Sequence, residues 1–271
     1  MIRDILTSMN SGITRRAFLL RSALSLLGAS AVTAFGSANI RNSPGRNFSS
    51  AEGDSLASGD GIALPDPVYN NGLTVEKALE QRRSIRRYTN DSLTLEQITQ
   101  ILWAAQGITE RRDRPAGWPE NWQWFGGLRT APSAGALYPI ELYLAAGNVQ
   151  GLESGVYKYN PDSHKILRTQ SADIREELSR AAGGQDQVRT APAVITIGAV
   201  HKRTAVKYRD RATRYVHIEV GHVGQNIYLQ AESLELATVM VGAFSDDRVH
   251  NVLQMTTEES PLGIMPIGYP A

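Results

Sequence analysis

The spacing of apolar side chains divides the chain beyond residue 64 into short helices and strand-like runs. Leu73 to Arg83 carries Val75, Ala78 and Leu79 at helical spacing behind Thr74, a side chain suited to cap the first turn. Thr94-Leu95-Glu96-Gln97 has the form of a capping box and opens a second helix, with Ile98, Ile101, Leu102 and Ala105 on one face. Arg211 to Glu235 predicts a long central helix: Val216, Val220, Val223, Ile227, Ala231 and Leu234 form one stripe. Gly221 and Gly224 beside that stripe leave room for another helix. Ser171 and Ser245 predict caps for shorter helices, over Ala172 to Ala182 and through Leu253. Apolar runs at Ile140 to Ala146, Gly155 to Tyr159, Ala193 to Val200 and Leu236 to Val241, with a weaker one at Leu262 to Ile267, predict strands. Helices grouped around a mainly antiparallel central sheet describe an α+β domain, and no internal repeat is visible.

Glu110 to Arg129 follows neither period and contains Pro115 and Pro119, so it reads as a loop. Trp118, Trp122, Trp124 and Phe125 within it suit either a lid over a flat substrate or a loop anchored on the body. At the other end of the chain, Thr14-Arg15-Arg16-Ala17-Phe18-Leu19 leads into a weakly apolar stretch ending Gly36-Ser37-Ala38. This resembles a twin-arginine export signal over residues 1–38, cleaved after Ala38. The stretch is too short and polar for a good membrane span, so the mature form is expected in the periplasm or another extracytoplasmic space, without a stable span. The twin-arginine route carries folded proteins, often with a cofactor already inserted, so the signal implies a bound cofactor. Residues 39–63, rich in Ser, Gly, Asn and Asp, are expected to be a flexible linker, and the folded domain to span 64–271.

The 271 residues are 42% hydrophobic and 20% charged, an ordinary globular balance that can bury a core. The net charge of +1 conceals +3 in the first 38 residues, leaving the body mildly acidic and without the basic cluster that nucleic-acid binding needs. Cysteine is absent, which excludes disulfides, thiolate metal sites and iron–sulfur clusters.

Two clusters could carry chemistry. Arg82-Arg83-Ser84-Ile85-Arg86-Arg87-Tyr88 puts several guanidinium groups and a hydroxyl at a helix end, which suits a phosphate cradle or simply a solvated basic helix terminus. Ala131-Pro132-Ser133-Ala134-Gly135-Ala136-Leu137-Tyr138-Pro139 surrounds one serine with small residues, so that a flat ring can lie against the backbone. Ser133 lacks the Gly-x-Ser-x-Gly elbow of a hydrolase nucleophile. His217 and His222 are five residues apart, on different sides of a helix, so no metal site is expected with Glu219.

Taken in order, Arg82 to Tyr88, Leu102-Trp103-Ala104-Ala105-Gln106-Gly107, Pro132 to Pro139 and Val241-Gly242-Ala243-Phe244 resemble the blocks of the nitroreductase superfamily. The SagB-type dehydrogenase branch is the nearest in pattern, including Arg211 to Gln230 and Pro266-Ile267-Gly268. The resemblance covers about Val75 to Tyr269. It implies an FMN-binding homodimer, with two sites at the interface and ping-pong transfer of electrons or hydride to or from a quinone, nitroaromatic or ring substrate. It places Arg82, Ser84 and Arg86 on the FMN phosphate and nearby polar edge. Pro132, Ser133 and Ala134 would lie against the isoalloxazine ring, Gln185 at its pyrimidine end, and Gly242 and Ala243 with a backbone N–H toward N5. The flavin performs the electron chemistry, so no acid–base triad is needed. The family's basic pair near the C-terminus is missing, and Arg203, Arg211 and Arg214 are the candidates to replace it. A different class of function is an exported flavin-binding accessory protein without turnover.

Overall fold

The computed structural model describes residues 61–70, 72–120 and 122–271. The expected signal peptide, and the linker up to residue 60, lie outside the described residues. Backbone pairing begins with β1 (Ile62–Ala63), two residues ahead of the expected domain start. β1 joins β4 (Ile140–Ala146), β5 (Gly155–Asn160), β6 (Lys165–Gln170), β7 (Ala193–Ala199), β8 (Ala237–Thr238) and β9 (Ser260–Gly268) in one sheet. The order is β1-β6-β5-β4-β7-β9-β8, with every neighbouring pair antiparallel.

Side chains alternate across a strand, and here both faces are covered. Ile140, Leu142 and Leu144 of β4 and Ile195 and Ile197 of β7 point into one core. They meet Val216, Val220, Val223 and Ile227 of the long helix α6 (Ala212–Ser233) and Ile98, Ile101 and Leu102 of α2 (Leu95–Gln106). Tyr143, Ala145 and Val194 point the other way, against Leu178 of α3 (Arg175–Ala181) and Val249 and Leu253 of α7 (Asp246–Leu253). Double coverage explains why β4 and β7 read as continuous apolar runs without alternation. Full burial of Val216, Val223 and Ile227 stabilises the helix–sheet contact by roughly 1.5–3 kcal/mol each.

Local capping held where it was strongest. Thr94 Oγ1 accepts from Gln97 N (3.3 Å) and Thr94 N donates to Gln97 Oε1 (3.0 Å), completing the capping box of α2. Thr74 caps α1 (Val75–Gln81) through Lys77 N. Only Ala78 of α1 is buried, while Val75 and Leu79 are 64% and 54% exposed, so the apolar face of this helix is uncovered within one chain.

Ser171 does not cap α3: Asp173 accepts from Arg175 N (3.2 Å) and clamps its guanidinium, which delays the helix start to Arg175. Ser245 stands at the N-cap of α7 without a side-chain bond. The strand expected over Leu236 to Val241 pairs only at Ala237–Thr238, because Met240 N turns to donate to Tyr228 Oη, and Val241 then bridges Ile264. The ends of the tryptophan segment are a two-stranded ladder, β2 (Ile108–Arg111) with β3 (Gly127–Arg129), so the loop proper is shorter. Gly224 meets Met240 and Met265 on the sheet side and no second helix, while Gly221 faces open space. The weak candidate at Leu262 is the interior of the nine-residue β9. β6, α4 (Asp186–Thr190) and α5 (His201–Tyr208) had no apolar stripe to mark them.

Candidate functional site

Past Gln81 the chain leaves the helix at Arg82 (φ −47°, ψ 123°) and runs beside β8, with Ser84 bridging Thr238 in parallel and Ile85 N donating to Thr238 O (3.1 Å). That path brings Arg82 and Ser84 onto one tyrosine of α6. The Arg82 guanidinium lies 5.1 Å from the Tyr228 ring centroid, and Ser84 Oγ is 3.1 Å from Tyr228 Oη. Tyr228 Oη already accepts from Met240 N (2.7 Å), so its proton is free for Ser84. Arg83 is turned the other way, its Nη1 donating to the carbonyls of Glu80 and Arg82. Among the described residues, no carboxylate forms an ion pair with Arg82, Arg83, Arg86 or Arg87. Such uncompensated cationic charge at one helix end suits a dianion.

Tyr228 links this cradle to the next group, because Met240 immediately precedes Val241-Gly242-Ala243. Gln185 Nε2 donates to Ala243 O (3.1 Å), and Gln187 Nε2 donates to Gln185 Oε1 (2.6 Å). Gly242 and Ala243 are exposed, and neither amide N–H finds an acceptor among the described residues. A Cβ at Gly242 would meet nothing within 4 Å. Arg82 and Ser84 are thus tied through Tyr228 to Met240, just ahead of Gly242 and Ala243, and Gln185 is fastened to Ala243; Arg86 is exposed.

Pro132, Ser133 and Ala134 form a second group. The turn there is strained: Gly135, Ala136 and Tyr138 have φ of 66°, 54° and 39°. Tyr138 N donates to Ser133 Oγ (2.9 Å), which pins the turn. The end of α5 presses on it, and a Cβ at Gly135 would meet Tyr208 Oη at 3.0 Å and Lys207 Nζ at 3.1 Å. No hydrogen bond, ion pair or aromatic contact among the described residues joins Ser133 to Arg82, Gln185 or Ala243.

Close to the turn lies Glu219, which by residue type and spacing was a candidate only for a metal ligand. Glu219 of α6 is 2% exposed; among the described residues its Oε1 has no partner, and no hydrogen bond or ion pair joins it to the nearby Ser133 hydroxyl or Arg129 guanidinium. Burial pushes its pKa up to about 7, against the opposing pull of Ser133 and Arg129. Arg129 is itself buried: its Nη1 donates to Gln106 Oε1 (2.6 Å) and its guanidinium lies 4.6 Å from the Tyr138 ring centroid. The signal for Glu219 was in the sequence, as an acid set inside the Val216-Val220-Val223 stripe. Nothing local marked Tyr228.

The remaining candidates sort by their partners. Arg203 is committed to Glu141 Oε1 (2.5 Å) and Tyr138 O (3.2 Å), which removes it as a free phosphate ligand. Arg211 and Arg214 are exposed. Phe125 anchors the tryptophan loop on Tyr138 and under Arg203, while Trp118 packs edge-on against Trp122 and Trp124. His217 meets His201 edge-on at 6.1 Å; among the described residues no three His, Asp or Glu side chains converge as a metal set.

The model of the nitroreductase family matches residues 79–269. A Methanocaldococcus jannaschii protein assigned to the nitroreductases is 44% identical over 207 residues, which cover 76% of this chain and 95% of that protein. A crystal structure of a Ralstonia eutropha protein of the same assignment superposes with a TM-score of 0.64 at 27% identity, covering 78% of this chain and 89% of that one. The trifolitoxin-processing protein TfxB of Rhizobium leguminosarum is 28% identical over 134 residues, 47% of this chain but only 35% of that protein. The architecture is thus the α+β nitroreductase-like fold, and the chain belongs to the nitroreductase family.

Proposed function

We propose that the chain is an FMN-dependent oxidoreductase working as a homodimer, and that Arg82, Ser84 and Arg86 bind the cofactor's phosphate. The observation that carries this reading is the Arg82–Ser84–Tyr228 cluster, which holds Met240 just ahead of the open amides of Gly242 and Ala243. Cations without described counter-ions suit a phosphate at one end, and unclaimed N–H donors suit a polar ring edge at the other. When bound, FMN supplies acceptance and return of a hydride between a donor and a small organic acceptor. Gln185, held by Gln187 and Ala243, keeps a polar side chain beside those amides.

That no described contact joins Ser133 to these residues supports a site completed by a second copy, whose Pro132–Ala134 turn forms the opposite wall. Exposed apolar side chains at Val75, Leu79 and Ile218 supply area for that pairing. Likeness to a toxin-processing protein supports a SagB-type role, dehydrogenation of a ring or amide-like substrate. None of the described helices is long and apolar enough to cross a membrane. If the twin-arginine signal acts, the protein works in the periplasm, where nicotinamide donors are scarce and another donor is used.

The test is to purify the protein, supply FMN, and follow the flavin absorption with NADH, NADPH and then a quinone or nitroaromatic acceptor. Bleaching by a donor and recovery on an acceptor are expected. Bound FMN that no donor or acceptor affects would favour the accessory-protein reading, and a colourless protein that refuses FMN would overturn the assignment. Arg82→Ala is expected to weaken FMN binding roughly 10- to 100-fold, the worth of one or two charge-assisted hydrogen bonds. Arg112→Ala, which breaks only the exposed pair with Glu110, is the control and should leave retention unchanged.

A further inference from the structure

Tyr228 of α6 gathers three contacts. The Arg82 guanidinium lies over its ring, its Oη accepts the Met240 N–H at 2.7 Å, and Ser84 Oγ stands 3.1 Å from the same oxygen. The ring packs against the main core beside the fully buried Ile227, so the helix places it, and not the exposed chain around Ser84. Met240 is held in turn by its neighbour: Val241 N donates to Ile264 O (2.8 Å) and Ile264 N to Val241 O (3.0 Å).

The main chain fixes the direction of these bonds. An amide N–H can only donate, so Tyr228 Oη gives a lone pair to Met240 and keeps its own proton. Among the described residues, Ser84 Oγ is the acceptor within reach of that proton. A serine oxygen that accepts from Tyr228 carries its hydrogen away from the tyrosine, and Ser84 is exposed. The run from Met240 N–H through Tyr228 O–H to Ser84 O–H therefore ends in an outward donor, each bond polarising the next. We propose that Tyr228 is the positioning residue of the cradle: its hydroxyl holds Ser84 as an outward donor and its ring supports Arg82, so that the pair selects an oxyanion over a neutral hydroxyl. A charge-assisted bond is about twice as strong as a neutral one, which is the source of that selection. The oxyanion is the FMN phosphate on the reading above, and this inference rests on that reading.

A tyrosine that only anchored Met240 would act on the Gly242 and Ala243 amides, and so on every flavin alike. One that orients Ser84 acts on the phosphate. Affinities for FMN and for riboflavin, which lacks the phosphate, separate the two, and fluorescence titration measures both. Tyr228→Phe keeps the ring under Arg82 and should lower the FMN-to-riboflavin affinity ratio about five-fold, the worth of one hydrogen bond. Ser84→Ala should lower the ratio at least as far, and adding Tyr228→Phe to Ser84→Ala should lower it no further. An unchanged ratio in Tyr228→Phe, or losses that multiply in the double variant, would overturn the inference while leaving the flavoprotein reading intact. A second measurement needs neither flavin nor a change at Tyr228. In the FMN-free protein, hydroxyl exchange of single tyrosines is read from the deuterium isotope shift of the labelled Cζ. Tyr228 should exchange more slowly than Tyr69, which is 78% exposed, and should speed up in Ser84→Ala. A rate equal to that of Tyr69, or one that Ser84→Ala leaves unmoved, would refute the Tyr228–Ser84 bond even if Tyr228→Phe fails to fold. If no form takes up either flavin, the flavoprotein reading falls, and this inference falls with it.

Discussion

Between about pH 5 and pH 8 the wild-type protein is expected to lose about 3 kcal/mol of stability relative to Glu219→Gln. The sign follows from the direction of the shift. A carboxyl pushed up to about 7 in the folded state binds its proton more tightly folded than unfolded. Its contribution is fully present below the ordinary carboxylate range and is lost as pH rises through the folded value. Urea unfolding of the two proteins at a series of pH values measures the difference directly, with the other titrating groups common to both. A difference that stays constant with pH would mean that Glu219 is ionised throughout, or solvated in a way its burial does not suggest.

The second large effect concerns the ion network that fastens the sheet to α5. Glu259 is 3% exposed and accepts from Tyr143 Oη (2.6 Å), Lys158 Nζ (2.5 Å) and Thr256 N (2.9 Å). Lys158 also reaches Glu141 (3.3 Å), which holds Arg203. Burial pushes the Glu259 carboxyl upward, but Lys158 and Tyr143 outweigh it and hold it below the usual carboxylate range. Glu259→Ala is expected to cost about 3 kcal/mol, at the lower end for breaking a buried pair because Glu141 still compensates Lys158. Glu259→Gln should cost less, since it keeps bonds to Tyr143 and Thr256. The pH dependence runs opposite to that of Glu219: this stabilisation is present above the ordinary carboxylate range and lost as pH falls through the depressed value. Chemical denaturation of the two variants checks it, and equal stability of Glu259→Ala and wild type would show that the network contributes nothing net.

What could be read in the sequence was local or strongly periodic. The Thr94–Gln97 box is written in four consecutive residues, and the α6 stripe recurs over six apolar positions. β6 and α5 escaped because each buries little: Ile166 is the one fully buried residue of β6 and Thr204 that of α5. The cradle was legible because Arg82, Ser84 and Arg86 lie within five residues. Its second half was not, since Tyr228 is brought to Ser84 only by the packing of α6 across 144 positions of chain. Glu219 was visible as a misplaced acid, but its meaning depended on Ser133 and Arg129, which approach it only in the fold. The strain at Ala136 and Tyr138 had no counterpart in residue type, because neither is glycine.

On the reading proposed above, two copies of the chain enclose FMN between the Arg82–Ser84 cradle of one and the Pro132–Ala134 turn of the other. A crystal structure of the FMN-loaded protein decides this. The predicted result is a phosphate on Arg82 and Ser84, ring-edge acceptors at the Gly242 and Ala243 amides, and the partner subunit's Ser133 against the flavin. A flavin seated elsewhere, or enclosed entirely by one copy, would contradict it.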